Sequence, residues 1–173
     1  HASDNAAGYS IARNWEARLG SLDIAADNAA TGADMLSTVE DNYALISQHI
    51  QRVRDLTEQA ANGTYGTQSL KAIQSEITAR LGEVNRIAAN CEFNGLNMMN
   101  GDIDKNIAIQ VGIDGQADKS QISLDKSLFA KANITALFNL SGSTALDDFA
   151  KKCAGLGTIE AGENGYKGAQ SIR

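Results

Sequence analysis

Between residues 8 and 60, apolar and small side chains recur in steps of three and then four. The positions are Gly8, Ile11, Trp15, Arg18, Leu22, Ala25, Ala29, Gly32, Leu36, Val39, Tyr43, Ile46, Ile50, Val53, Thr57 and Ala60. Most are apolar and the rest are small, Arg18 excepted. Such a spacing is a heptad seam, held here over about eight repeats. It predicts one helix over about residues 5–61, capped by Ser3 or Asp4 and stopped by Asn62-Gly63. At 1.5 Å per residue that helix would run roughly 85 Å. Ala25, Ala29 and Gly32 would let a partner backbone come close, whereas Leu36 to Val53 present bulk. Leu19, Ala26, Ala33 and Leu45 widen the stripe, which suits a bundle better than a simple pair.

A second helical stripe follows the turn Asn62-Gly63-Thr64-Tyr65-Gly66. Leu70, Ile73, Ile77, Leu81, Val84, Ile87 and Cys91 predict a helix over about 67–91, capped near Thr67. The short connection folds it back antiparallel on the first. Because it is only half as long, part of the first seam needs another partner, from a later segment or another chain. Phe93-Asn94-Gly95 ends this helix. Ile107, Ile109 and Val111 alternate with Ala108 and Gln110, the pattern of a half-buried strand, and Ile122 and Leu124 supply a second. A β-hairpin over about 107–124 is the natural reading. Residues 127–138 and 145–153 are compatible with short helices, and 154–168, with five glycines, reads as loop. The fold class expected is mainly α: an elongated antiparallel helical rod of one very long and one shorter helix, with a small hairpin.

Composition sharpens this picture. Among 173 residues, 43% are hydrophobic, only 5% aromatic, and proline is absent. Apolar content of that size supports a folded chain, and the lack of proline leaves long helices uninterrupted. The net charge of −6 offers no basic field for nucleic acid or an anionic membrane. No stretch approaches the roughly 18 to 20 apolar residues of a membrane span. His1-Ala2-Ser3-Asp4 lacks the features of a cleavable signal peptide. That leaves a cytosolic chain, export by a route that reads no such signal, or a terminus already cut. Cys91 and Cys153 form no CxxC; two small buried or semi-buried residues are the simplest reading, and a disulfide stays open.

Several stretches resemble the bacterial flagellins. Ala2-Ser3-Asp4-Asn5-Ala6-Ala7-Gly8 resembles the entry to their rod domain. Gln51-Arg52-Val53-Arg54-Asp55-Leu56, with Gln59-Ala60-Ala61-Asn62-Gly63-Thr64, is similar to their most typical segment. Ile73-Gln74-Ser75-Glu76-Ile77, Phe93-Asn94-Gly95 and Ile109-Gln110-Val111-Gly112 continue in the family's order. The resemblance covers about residues 1–125 and implies a rod domain there, with 126–173 starting a variable outer region or linker. It implies a structural subunit of the extracellular flagellar filament, packed against other flagellin subunits and exported by the flagellar machinery without a cleaved signal. It also implies that terminal core helices lie outside this stretch, which would explain the unmatched seam. Many flagellins are ligands of the vertebrate Toll-like receptor 5. Carried over residue by residue, that recognition patch falls on Gln51, Arg52, Leu56, Gln59 and Glu76. Arg52 and Leu56, four apart, would share a face as an arginine beside an apolar contact. Thr57 and Glu58 depart from the small or apolar residues usual there, and Glu58 is spaced to pair with Arg54.

No catalytic constellation competes with this reading, and no cofactor is expected. The histidines are His1 and His49, the latter read as a rim residue without a carboxylate or cysteine motif. GxSxG, HExxH, P-loop and dinucleotide fingerprints are missing. Asp102-Ile103-Asp104-Lys105-Asn106 opens like a calcium loop, but Ile107 stands where the turn needs Gly and Ile113 where Glu should close it. Asn62, Asn133 and Asn139 head N-x-S/T patterns, and Asn62 is better explained as a turn residue. Serines and threonines at 141–144 are conceivable O-glycosylation acceptors. The competing reading is a cytosolic coiled-coil adaptor that dimerises through Leu36 to Val53.

Overall fold

The computed structural model describes residues 6–138 and 145–155. The expected cap at Ser3 or Asp4, the acceptors at 141–144 and most of the glycine-rich stretch after 154 lie outside the described residues. Helix α1 spans Ala6–Ala60 and α2 spans Thr67–Asn90. A two-residue strand pair follows, β1 (Glu92–Phe93) with β2 (Leu96–Asn97). Then come β3 (Ile107–Gln110), α3 (Ala117–Ser120), β4 (Gln121–Leu124), a 3₁₀ turn (Lys126–Phe129), α4 (Ile134–Leu137) and α5 (Ala145–Cys153). Among the described residues the chain is mainly α, with one long helix, one shorter helix and two small antiparallel strand pairs.

The chain divides into two compact units, and α1 contributes to both. Among the described residues, the first unit holds 6–38 and 103–128, and the second holds 39–102, 129–138 and 145–155. The described residues after 128 therefore belong to the unit built around α2.

In the first unit, β3 and β4 form the expected hairpin, in the register Ile107↔Leu124, Ala108↔Ser123, Ile109↔Ile122 and Gln110↔Gln121. Period-2 alternation puts Ile107, Ile109, Ile122 and Leu124 on one face. The Ile109 side chain occupies the place where a Cβ on Gly32 of α1 would stand. A donated bond from Asn28 Nδ2 to the Gln110 carbonyl, 3.1 Å, pins the same strand to the helix one turn earlier. Gly32 is thus a socket for the hairpin.

The second unit holds most of the core. Leu70, Ile73, Ile77, Leu81, Val84, Ile87 and Ala88 form the buried stripe of α2, with Ile77, Leu81 and Val84 fully enclosed. On α1, Val39, Ile46, Val53, Leu56 and Ala60 are buried. The helices run antiparallel: Arg52 meets Glu76, and His49 faces Glu83. Met98, Met99, Phe129 and Ile134 are buried too, and so are Ala150, Cys153 and Ala154 of the α5 region, where α5 packs on α2.

Three details differ from expectation. The cap of α2 falls on Gly66, whose extended backbone offers no side-chain bond, and Thr67 is the first helical residue. Phe93-Asn94-Gly95 does more than end a helix: Asn94 and Gly95, at φ 50° and 82°, make the tight turn between β1 and β2. Two left-handed residues are what a two-residue hairpin loop requires. The seam of α1 is also not buried evenly. Ala25, Gly32, Val39, Ile46, Val53 and Ala60, spaced by seven, are buried, while the alternate line through Leu36, Tyr43, Ile50 and Thr57 is half-buried and Met35 and Leu56 are buried on the other flank.

Candidate interaction surface

The first turns of α1 carry an apolar surface that is open among the described residues. Tyr9, Ile11, Trp15, Leu19, Leu22 and Ile24 are 47–63% exposed. At 100° per residue Ile11, Trp15, Leu19 and Leu22 share one side, continuing the line that becomes buried at Ala25. Ile11, Asn14, Trp15 and Arg18 frame a shallow depression of ≈ 290 Å³. On the opposite side of the helix, Arg13 bonds Glu16 at 3.2 Å and lies 5.8 Å above the Tyr9 ring. Large side chains exposed in a row, not singly, mark a surface made to be covered.

A second, polar surface lies where α1 and α2 meet. Arg52 Nε donates to Glu76 Oε1 at 2.9 Å, and Arg80 Nη2 approaches the same oxygen at 3.6 Å. The Arg52 bond, first of its causes, holds the Glu76 carboxyl below the ordinary carboxylate value, and Glu76 in turn raises the Arg52 guanidinium. Gln51 is exposed, and Gln59, also exposed, donates from Nε2 to the Tyr65 hydroxyl at 2.9 Å. Leu56 stands apart from the expected patch, being 2% exposed. Four residues on from Arg52, it turns about 40° further around the helix, far enough to enter the core beside Val53. The expected pairing of an arginine with an open apolar contact is therefore corrected: Leu56 supports this surface from below. Glu58 pairs with Arg54 at 3.4 Å, as their spacing suggests.

Two participants escaped the sequence reading. Arg80 stands four residues after Glu76, a spacing that favours an ion pair on any helix. Tyr65 reaches Gln59 only because the turn folds back, and nothing local announces that.

A cleft of ≈ 570 Å³ opens between α1 and the α5 region, lined by Ile50, Val53, Arg54, Thr57, Glu58, Phe138, Phe149 and Cys153. Phe138 and Phe149 stack with centroids 4.7 Å apart. Cys91 and Cys153 are both buried and free, and burial raises both thiols above their ordinary value; at Cys153 the Thr57 hydroxyl works against the rise.

The family model for the bacterial flagellin N-terminal helical region matches residues 1–104. The chain belongs to the bacterial flagellin family. It is similar to a flagellin of Xenorhabdus nematophila, 40% identical over 111 residues that make up 64% of this chain and 35% of that one. A flagellin of Salmonella montevideo is 34% identical over 175 residues, 96% of this chain and 33% of its own. The chain thus spans about a third of the length of the curated relatives it matches. Among solved structures, FliC from Burkholderia pseudomallei superposes with a TM-score of 0.52 and 29% identity, covering 59% of this chain and 37% of that one. Flagellins are structural proteins rather than enzymes. Among the described residues, no helix is long and apolar enough to cross a membrane.

Proposed function

We propose that this chain is the N-terminal helical part of a structural subunit of the bacterial flagellar filament, packing against other flagellin subunits through the faces of its helices. The observation that carries this reading is the open apolar row of Ile11, Trp15, Leu19 and Leu22 on α1. A helix face of that kind lowers its free energy by about 25 cal/mol for each Å² it removes from water, and repeated copies of one subunit can supply the cover. On this reading the subunit works outside the cell and passes through the flagellar export machinery without losing a leader. A coiled-coil adaptor would instead use Leu36 to Val53, but Val39, Ile46 and Val53 are already buried within the chain's own second unit.

The test is filament assembly. A subunit with Trp15→Glu should keep its helical circular dichroism and lose assembly, because the change puts a charge in a surface that must dry out. Normal filaments from that variant would sink the proposal.

We further infer a receptor-binding surface for Toll-like receptor 5 around Arg52, Glu76, Gln51 and Gln59, seated on Leu56. In support, Arg52 and Glu76 are 46% and 36% exposed while tied across two helices, so the surface is reachable and held in shape. Arg52→Ala is expected to reduce the response of receptor-bearing reporter cells at least about tenfold, the scale of an arginine hot spot. An unchanged titration curve would count against this surface.

A further inference from the structure

The turn between α1 and α2 contains an asparagine whose surroundings favour its own chemical conversion. The chain has Asn-Gly steps at 62–63, 94–95, 100–101 and 164–165, the last outside the described residues. At the first, the Asn62 side-chain oxygen accepts two hydrogen bonds, from Thr64 N–H at 3.2 Å and from the Thr64 hydroxyl at 3.1 Å. Asn62, Gly63 and Thr64 are all exposed. Among the described residues, no backbone carbonyl accepts the Gly63 N–H, whereas the neighbouring N–H groups of Asn62 and Tyr65 are bonded to Gln59 and Asn62 carbonyls. A glycine after the asparagine leaves the backbone nitrogen without a side chain to shield it.

We propose that Asn62 is a self-modifying site, where the Gly63 backbone nitrogen closes on the side-chain amide and converts Asn62 to aspartate and isoaspartate. Solvent base removes the Gly63 N–H proton, and the nitrogen forms a bond to Asn62 Cγ. Negative charge then collects on Oδ1, where both Thr64 donors already point. Donors placed at a developing oxyanion lower the barrier to acyl transfer. Collapse breaks the Cγ–Nδ2 bond, and the amide nitrogen takes a proton from water and leaves as ammonia. Water then opens the five-membered imide at either carbonyl. The balance is one water consumed and one ammonia released, with no redox partner.

The other described steps lack this arrangement. Among the described residues no hydrogen bond reaches the Asn94 side chain, and its backbone is held in the left-handed turn between β1 and β2. Asn100 donates from Nδ2 to Asp102 at 3.3 Å, so a carboxylate rather than a donor stands next to the reacting amide. The conversion at Asn62 also has a structural consequence. It places a negative charge just after the C-terminus of α1, the negative end of the helix dipole, where the last turn holds no basic residue.

The experiment is an ageing series of the purified chain in mildly alkaline buffer, read by tryptic peptide mapping that separates aspartate from isoaspartate. Residues 55–71 form one peptide with Asn62 as its only asparagine, and 87–105 carry Asn94 and Asn100. Conversion should appear first, and several-fold faster, in the 55–71 peptide. Thr64→Val keeps the size and branching of the side chain and removes the hydroxyl donor; it should slow Asn62 about fivefold, the worth of one ordinary hydrogen bond, with unchanged circular dichroism. If Asn62 converts no faster than Asn94 or Asn100, or if Thr64→Val changes its rate by less than about twofold, a smaller effect than one hydrogen bond, the proposal is overturned.

Discussion

Two glycines of α1 look alike in the sequence and differ in what surrounds them. A Cβ on Gly20 would meet nothing within 4 Å, while one on Gly32 would lie 2.2 Å from Ile109 Cδ1. Glycine inside a helix costs roughly 1 kcal/mol relative to alanine. Gly20→Ala should therefore stabilise the isolated chain by about that amount in chemical denaturation. At Gly32 the same gain is opposed, because Ile109 must leave its socket. Gly32→Leu, a good helix former too large for the space, should destabilise by about 1–3 kcal/mol and raise amide exchange in β3 and β4. Equal stability for the Gly20 and Gly32 variants would refute the socket. The small size of Gly32 signals close approach, yet the partner lies more than seventy residues away, and periodicity holds no information about it. Leu56 teaches a related lesson. Motif and spacing set it beside Arg52, but only the packed pair of helices decides that it points inward.

Elements were far more legible than contacts. The α1 seam gave a helix because its apolar positions hold the 3.5-residue spacing with no proline, and its half-buried character follows from a partner about half its length. The stripe of α2 was readable residue by residue, since Leu70, Ile73, Ile77, Leu81, Val84 and Ile87 all turn out buried. The β1–β2 turn was readable in principle, because Asn-Gly between apolar residues is a strong short-range hairpin signal. It passed unread because strands of two residues leave no alternation to detect. Burial along α2 is graded, which gives a test at this scale. Ile77 is fully enclosed, so Ile77→Ala loses both its transfer energy and the packing around it, about 2–5 kcal/mol. Gly82 on the same helix has open space at its Cβ, and Gly82→Ala should change stability in the opposite direction. Urea midpoints of the two variants moving the same way would show that α2 is not packed through this stripe.

At the scale of the whole chain, the titratable groups divide into two sets with opposite pH dependence. Glu76, Glu83 and Asp125 are all held below the ordinary carboxylate value, the first two by arginine partners and the third by bonds from Ser127. Each binds its proton less readily when folded, so its contribution is present above the usual carboxylate range and fades as pH falls toward the lowered values. These groups sit at the surface, and salt should flatten this acid limb further. Cys91, Cys153 and Tyr43 are raised, by burial first. Their neutral forms are favoured in the fold, so their contribution is complete below the ordinary values and is lost as pH climbs from there toward the raised ones. The two thiols act separately. Cys91 lies within electrostatic reach of Tyr43 and Cys153 beside Thr57, about four turns apart on α1, or roughly 21 Å. A disulfide needs Cα atoms within about 7 Å, so the native chain holds them as independent buried thiols. A stability profile should accordingly show a plateau through neutrality and two limbs, of which only the acid one responds to salt. Cys153→Ala should lower the plateau, through the lost sulfur packing, while making the alkaline limb shallower. An alkaline limb of unchanged slope in that variant would mean that Cys153 is not among the groups whose ionisation opens the fold.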